Sequence, residues 1–295
     1  MIKLLKKNGK CKIRNFTRSV LGKDNYIRIR FILTHGYIGD FTNPKTWNEK
    51  IQNRKLFCVP DELCHFVDKY EVREYVSNVI GSQYLIPLIA TFDKLKVNDI
   101  RALPKECVIK TTNGGGGANV RIINDLSLVD PAELVSFFNS EVSKKLGLYI
   151  DEPFYDVLPA RIVVEKLIRN SDGSSLLDYK FHVFKSRNKT NVFLQINSDY
   201  GLDTETKTLY DLNGKRLKVQ FSDYKHGQEK LNLPVNFDDM VNLAVKLASR
   251  FKYARVDFYN VDGRIYFGEI TFCPASGWDK INSKENDLYL GSLWE

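Results

Sequence analysis

Apolar residues recur along this chain in two rhythms, and the rhythm sorts it into elements. In DKYEVREYVSN, residues 68–78, an Asp in capping position precedes Val72, Tyr75 and Val76 on one face, which predicts an amphipathic helix. The same spacing predicts helices over DPAELVSFFNSEVSKKLG, which Asp130 can cap, and NFDDMVNLAVKLASRF, with Val241, Leu243, Ala244, Leu247 and Ala248 turned inward. YLIPLIATF, ECVIKTT, ANVRII, ARIVVEKLI, LLDYKFHVF and NVFLQINSD are short apolar, β-branched or aromatic runs between turn residues, and read as strands. YARVDFYNVDGRIYFGEITF reads as a hairpin turning at Asn260-Val261-Asp262-Gly263. The first forty residues scatter apolar positions among basic ones and predict short helices packed on a larger body. The expected class is α+β, with antiparallel sheets flanked by helices and no internal repeat or linker.

Composition narrows the setting. The chain has 295 residues, 43% hydrophobic and 27% charged, which excludes disorder as its main character. No run of about 18 apolar residues is present, so no helix is expected to span a bilayer. The N-terminus lacks the apolar core and cleavage site of a secretory signal, so a cytoplasmic location is expected. Cys11, Cys58, Cys64, Cys107 and Cys273 form no CxxC pair, which fits a reducing compartment. His35, His65, His182 and His226 are scattered, so a bound divalent metal would need carboxylates. The formal charge is +8, and the run Lys3, Lys6, Lys7, Lys10, Lys12, Arg14 can touch anionic lipid or polymer, although such runs are most often solvated faces.

Three segments carry chemistry. Asn113-Gly114-Gly115-Gly116-Gly117-Ala118-Asn119 follows an apolar strand ending near Lys110; the glycines let backbone N–H groups converge on a phosphate, and the lysine adds a point charge. No Gly-Lys-Ser/Thr follows, so this is a strand–loop–strand cover and not a Walker A loop. A flexible hairpin turn is the alternative. In R-V-D, Arg255 and Asp257 share a strand face, and the tight turn is expected to return Glu269 opposite them. Two carboxylates beside an arginine can hold Mg²⁺ between ATP phosphates, and both are expected in a solvated cleft; a cross-strand salt bridge is the plainer reading. The strand end Glu165-Lys166-Leu167 suits the edge of an adenine, or is simply an exposed strand end.

With their flanks, these segments resemble the TupA-like ATP-grasp family of bacterial surface-polysaccharide synthesis. The motifs are NPKTWNEKIQNRK from Asn43, the DKY helix from Asp68, IKTTNGGGG, DYKFHVF from Asp178, and RVDFYNVDGRIYFGEITFCPASG from Arg255. They cover roughly residues 40 to 290 and leave out the basic arm.

The resemblance implies an ATP-grasp fold: a basic N-terminal arm over residues 1–40, a substrate-side subdomain over 41–104, a lid over 105–168 and a catalytic subdomain over 169–295. It implies that Lys69, Lys110 and Lys180 reach the phosphates of ATP under a lid of Gly114, Gly115, Gly116 and Gly117. Glu165, Lys166 and Ile168 would line the adenine slot, Asp257 and Glu269 would bind Mg²⁺, and Arg255 would stabilise the transferring phosphoryl group. Where the superfamily has E-x-N, this chain has Glu269-Ile270-Thr271, so Thr271 offers a neutral oxygen and the pattern for a second Mg²⁺ is incomplete.

The implied activity is an ADP-forming carboxylate–amine ligase in capsule or O-antigen synthesis, joining a uronic acid to an amino acid or amine. A peripheral membrane contact through the basic arm is a candidate, and nucleic acid is not an expected partner. The competing readings are a glycosyltransferase, for which no D-x-D motif stands in a suitable setting, a kinase with the same nucleotide site, and a non-catalytic binding module. For the acceptor, NPKTWNEK with Trp47, Asn48, Glu49 and Lys50 suits a sugar, or is an N-capped helix with a core tryptophan. The PASGWDK loop is expected beside the metal hairpin.

Overall fold

A computed structural model describes residues 2–187, 189–198 and 204–295, with the backbone alone for 2–13, 15 and 16. The side chains of Lys3, Lys6, Lys7, Lys10 and Lys12 therefore lie outside the described residues. Strands β1 (Leu88–Phe92), β2 (Cys107–Thr111), β3 (Val120–Ile123) and β4 (Ile162–Glu165) form an antiparallel sheet in the order β1-β4-β2-β3. Strands β5 (Asp178–Lys185), β6 (Thr190–Ser198), β7 (Thr206–Tyr210), β8 (Tyr253–Val261) and β9 (Arg264–Thr271) form a second in the order β7-β6-β5-β8-β9. Around them lie α1 (Ile2–His35), α2 (Trp47–Phe57), α3 (Asp61–Val67), α4 (Val72–Val79), α5 (Val97–Arg101), α6 (Pro131–Val142), α7 (Leu146–Ile150), α8 (Phe237–Ala248) and α9 (Lys284–Ser292). The expected α+β class is what is found.

The larger core backs the five-stranded sheet. Phe181, Val256 and Phe258 alternate onto its rear face, where α8 brings Phe237, Met240, Leu243, Ala244 and Leu247. A smaller cluster under the four-stranded sheet joins Ile109, Ile162 and Val164 to Leu134 and Phe138 of α6, whose first turn Asp130 caps through Ala132 N–H.

Some expectations shift. The N-terminal region is one helical run broken at Gly22 (φ 76°) rather than several short helices. Asp68 accepts from the backbone N–H of Tyr70 and Glu71 at 2.9 and 3.0 Å, so it caps the turn leading into α4, three residues before the helix. Strand β7 was not expected: TKTLY is short and carries a lysine inward. Strand β1 lies within 41–104 but pairs with β4 of the lid segment.

Candidate functional site

The hairpin β8–β9 turns at Asp262 and Gly263, both left-handed (φ 49° and 85°), with Asn260 Oδ1 accepting from Gly263 N–H at 3.0 Å. Counting back from this turn, Phe258 faces Phe267, and an unbroken ladder would set Asp257 opposite Gly268 and Glu269 opposite Val256, on the rear face. A bulge at Gly268 prevents this, so that Asp257 pairs with Glu269 and Arg255 with Thr271. The bulge, and not the turn alone, brings both carboxylates to one face. A Cβ at Gly268 would lie 3.1 Å from Asp257 O.

On that face Arg255 is the hub. Its Nε donates to Asp257 Oδ1 and its Nη2 to Asp257 Oδ2, each at 2.7 Å, while Nη2 also reaches Glu269 Oε1 at 2.9 Å and Thr271 Oγ1 at 3.0 Å. Register sets Lys180 of β5 opposite Asp257, and its ammonium donates to Asp257 Oδ2 at 2.7 Å and to Asp178. Burial would raise the Asp257 carboxyl, but Arg255 and Lys180 outweigh it and hold the group below its ordinary range. Asp178 has the opposite fate: burial and the charge of Asp257 push it up to about 6. Its Oδ1 is buried without a hydrogen-bond partner.

This donor set suits a hard cation. Asp257, Glu269 and the unpartnered Asp178 oxygen present carboxylates, and Thr271 a hydroxyl, with no soft ligand among them. Among the described residues no group of three or more His, Cys, Asp and Glu is arranged to hold a metal.

The four-stranded sheet supplies the other wall. Glu165 sits opposite Val108 in register, so Lys110, two residues on, meets it diagonally at 2.7 Å, and Arg73 approaches at 3.5 Å. Lys69 donates to Gly114 O; burial lowers its pKa, Glu269 acts to raise it and Lys110 to lower it, so this ammonium senses both sheets. Gly114 is packed, and a Cβ there would fall 1.6 Å from Asn119 Nδ2, whereas Gly115 faces open space. Gly116 and Gly117 are left-handed (φ 66° and 74°), a backbone only glycine adopts freely. Asn113 Nδ2 donates to Lys144 O at 2.9 Å, tying the loop to the end of α6.

The structure thus joins Lys180, Arg255, Asp257, Glu269 and Thr271 on the five-stranded sheet, and sets Lys69 on Gly114 and Lys110 on Glu165 at the four-stranded one, with Glu269 near enough for its charge to act on Lys69. At the expected adenine slot, Glu165 is engaged by Lys110 and Arg73, the Lys166 N–H donates to Pro87 O at 2.9 Å, and Ile168 is half-buried. Asp257 is not in a solvated cleft: it is 1% exposed, because two cations cover it, while the Glu269 side chain is 37% exposed. Trp47 is a core residue, 1% exposed, under a capping box between Thr46 and Glu49, so the stacking reading of NPKTWNEK is set aside.

Sequence reasoning missed three partners. Asp178 stands in DYKF with no expected role, although alternation puts it on the face of Lys180. Tyr259 follows Asp257 by two; burial, then Asp178, Glu269, Asp257 and Glu165, raise its phenol, which marks it as facing both sheets. Lys207 of β7 pairs with Asp279 of the PASGWDK loop, a contact 72 residues apart with no local signal.

Residues 49–295 match the family model described as TupA-like ATP-grasp. No curated protein matches the chain. Among solved structures it is similar to D-alanine–D-alanine ligase from Helicobacter pylori, at 16% identity and TM-score 0.45, covering 78% of this chain and 61% of that one. It is also similar to D-alanine–D-alanine ligase from Bacillus anthracis (19%, TM-score 0.39, 72% and 58%). Phosphoribosylamine–glycine ligase from Thermotoga maritima is a third (10%, TM-score 0.41, 77% and 51%). The chain spans about three fifths or less of the length of these enzymes.

Proposed function

The chain belongs to the TupA-like ATP-grasp family, and from that premise we propose that it is an ATP- and Mg²⁺-dependent ligase that joins a carboxylate to an amine and releases ADP. The observation that supports the reading is a pair of charged clusters, Lys69, Lys110 and the glycine loop at one sheet and Lys180, Arg255, Asp257 and Glu269 on the other, with Glu269 near enough for its charge to act on Lys69. Binding module and salt-bridge readings need no such set.

In this reading the three lysines neutralise the phosphates and the loop N–H groups cover them. Asp257 and Glu269 would hold Mg²⁺, which would offset phosphate charge. Arg255, already fixed by two carboxylates, is aimed at the charge that develops as a substrate carboxylate oxygen attacks the γ-phosphorus and ADP leaves. The amine nitrogen then attacks the acyl carbon of the acylphosphate, phosphate departs and the nitrogen loses a proton. Holding the reactants in line supplies most of the acceleration, so Cys and His are bystanders.

The family points further to surface-polysaccharide synthesis, with a uronic acid as carboxylate, an amino acid or amine as partner, and a cytoplasmic enzyme in peripheral contact with the membrane. The test is ATP turnover with Mg²⁺ over a panel of uronic acids crossed with amino acids, reading ADP plus phosphate against AMP plus pyrophosphate. ADP released only with both a carboxylate and an amine is the expected result. ADP with a single hydroxylated acceptor makes it a kinase, and no ATP binding overturns the reading.

A further inference from the structure

All the excess charge of this protein lies at one end. Residues 1–23 contain eight Lys and Arg and no Asp or Glu, so the rest of the chain, with 36 basic and 36 acidic residues, is neutral. A charge needed only for solubility has no reason to gather in one helix.

That helix also carries apolar residues on its outer side. In the described part of α1 the arginines face the body: Arg14 lies 3.8 Å over the Tyr149 ring, Arg18 pairs with Asp151 at 2.9 Å, Arg28 stands 5.1 Å over Phe41 and Arg30 3.9 Å over Trp278. Tyr26, Ile27 and Phe31 are buried against the body, and a second apolar row faces outward. Leu33 is 80% exposed, with Ile29 and Ile32 exposed beside it at helical spacing, Val20 67% exposed one bend earlier, and Ile38 83% exposed just past the end. A surface helix in water ordinarily keeps its outer face polar.

We propose that the outer face of α1 docks the protein on an anionic lipid bilayer, with the lysine-rich residues 3–12 drawn to lipid phosphates and Ile29, Ile32 and Leu33 entering the headgroup boundary. Charge and apolarity on one helix fit that partner and fit the others poorly. A second copy of the chain would bring two basic arms together, and a nucleic acid would leave the apolar row wet.

Docking also orients the cleft. The inward side of α1 touches the turn that follows the metal hairpin, with His35 Nε2 3.1 Å from Gly277 O and Arg30 over Trp278, and touches the segment after the lid through Tyr149 and Asp151. The bilayer then lies along the edge of the site, which fits an acceptor carried on a lipid. This last step rests on the ligase reading; the docking itself does not.

The test is sedimentation of the full chain with phosphatidylcholine vesicles, with and without phosphatidylglycerol, in the absence of ATP. Binding is expected only with phosphatidylglycerol and should fade with salt. Replacing Lys3, Lys6, Lys7, Lys10 and Lys12 by Gln should weaken it roughly 100-fold or more. Ile29→Ser/Ile32→Ser/Leu33→Ser should weaken it several-fold, with circular dichroism and ADP release in solution unchanged. The proposal is overturned by equal binding to neutral vesicles, by vesicle binding that ignores either variant, by a serine variant that changes only the oligomeric mass, or by duplex DNA binding more tightly than vesicles. Vesicle binding without ATP turnover would keep the docking and remove only the lipid-borne acceptor.

Discussion

The two sheets carry charge in opposite ways. In the five-stranded sheet the cations and carboxylates are interleaved and buried: Lys180, Arg255 and Asp257 are each below 10% exposed, and every one touches an opposite charge. The apolar core and α8 behind them fix their positions. In the four-stranded sheet the buried charge is the pair Lys110 and Glu165 at the strand ends, above a smaller core, and the neighbouring loop is exposed from Gly115 to Gly117. One sheet has its charges interlocked; the other carries fewer, with Lys110 on Glu165 and Lys69 on Gly114 O, beside an exposed loop. Preorganised charge belongs where bonds change, and adaptable backbone belongs where a ligand must be admitted.

The comparison breaks most completely if the bulge is removed. Gly268→Val places a branched side chain whose Cβ lies 3.1 Å from Asp257 O, which disfavours the bulge; an unbroken ladder that keeps residue 268 sends Glu269 to the rear face beside Val256, where it meets an apolar helix. Turnover should fall roughly 10³-fold or more, and the stranded carboxylate should cost about 3–5 kcal/mol. ADP release and thermal unfolding read the two effects. A Gly268→Val variant of ordinary stability and activity would show that the bulge accepts a side chain and that the facing of Glu269 does not depend on glycine there.

Asp257→Asn and Glu269→Gln sharpen the same contrast. Both should abolish ADP release, but only the first should destabilise the fold. Asp257 is covered by Arg255 and Lys180, and removing its charge leaves two buried cations short of a partner, at about 3–5 kcal/mol. The Glu269 side chain is 37% exposed, where a lost ion pair costs at most about 1 kcal/mol. Equal melting temperatures for the two variants would contradict the burial argument.

These residues also show how far the chain could be read unaided. Arg255 and Asp257 were legible because alternation along a strand is local, and Asp262-Gly263 marks its hairpin. The facing of Glu269 was reached by counting that ignores the bulge; Gly268 inside a strand was the available sign. The pairing of Lys110 with Glu165 was hidden because β2 and β4 are neighbours only after β3 is placed outside them, a fact of topology. Lys207 with Asp279 and Asp178 with Lys180 were hidden for the same reason or lacked an assigned role, and the burial of Asp257 follows from cations on another strand. Local pattern reads elements; chemistry shared between distant strands needs the fold.

Acid should separate the sheets next. His182, in the five-stranded sheet, is buried between Tyr253 Oη and Gln195 Oε1, each at 2.8 Å, and burial with the nearby charge of Arg255 lowers its pKa to about 3. The folded protein then resists a proton that the unfolded chain binds below its ordinary value of 6.5. Stability from this group is complete above that value and is lost as the pH falls from 6.5 toward 3, by up to about 2 kcal/mol at pH 5. Residues 88–165 contain no histidine. Amide exchange at pH 5, corrected for the intrinsic rate, should therefore show β5 and β6 losing protection before β2 and β3, and His182→Gln should flatten the difference.

The smallest effect tests the adaptable wall, and adjacent glycines make it sharp. Gly114 is held against Asn119, whose amide donates to Thr111 O at 3.1 Å, so a methyl group at Gly114 must push that amide off the strand end and move the loop. Gly115 faces open space and lacks a left-handed φ, so the same methyl there meets nothing. Gly114→Ala should weaken ATP binding roughly tenfold, about 1.4 kcal/mol, and Gly115→Ala should leave it nearly unchanged, both read by calorimetric titration with Mg²⁺. If the loop were a mere flexible turn, both substitutions would be silent. If every glycine served only to lower bulk over the phosphates, both would be harmful. A loss at Gly114 alone means that the cover is free in its exposed part because it is anchored at its root, which is how a wall can be adaptable and still deliver its N–H groups to one place.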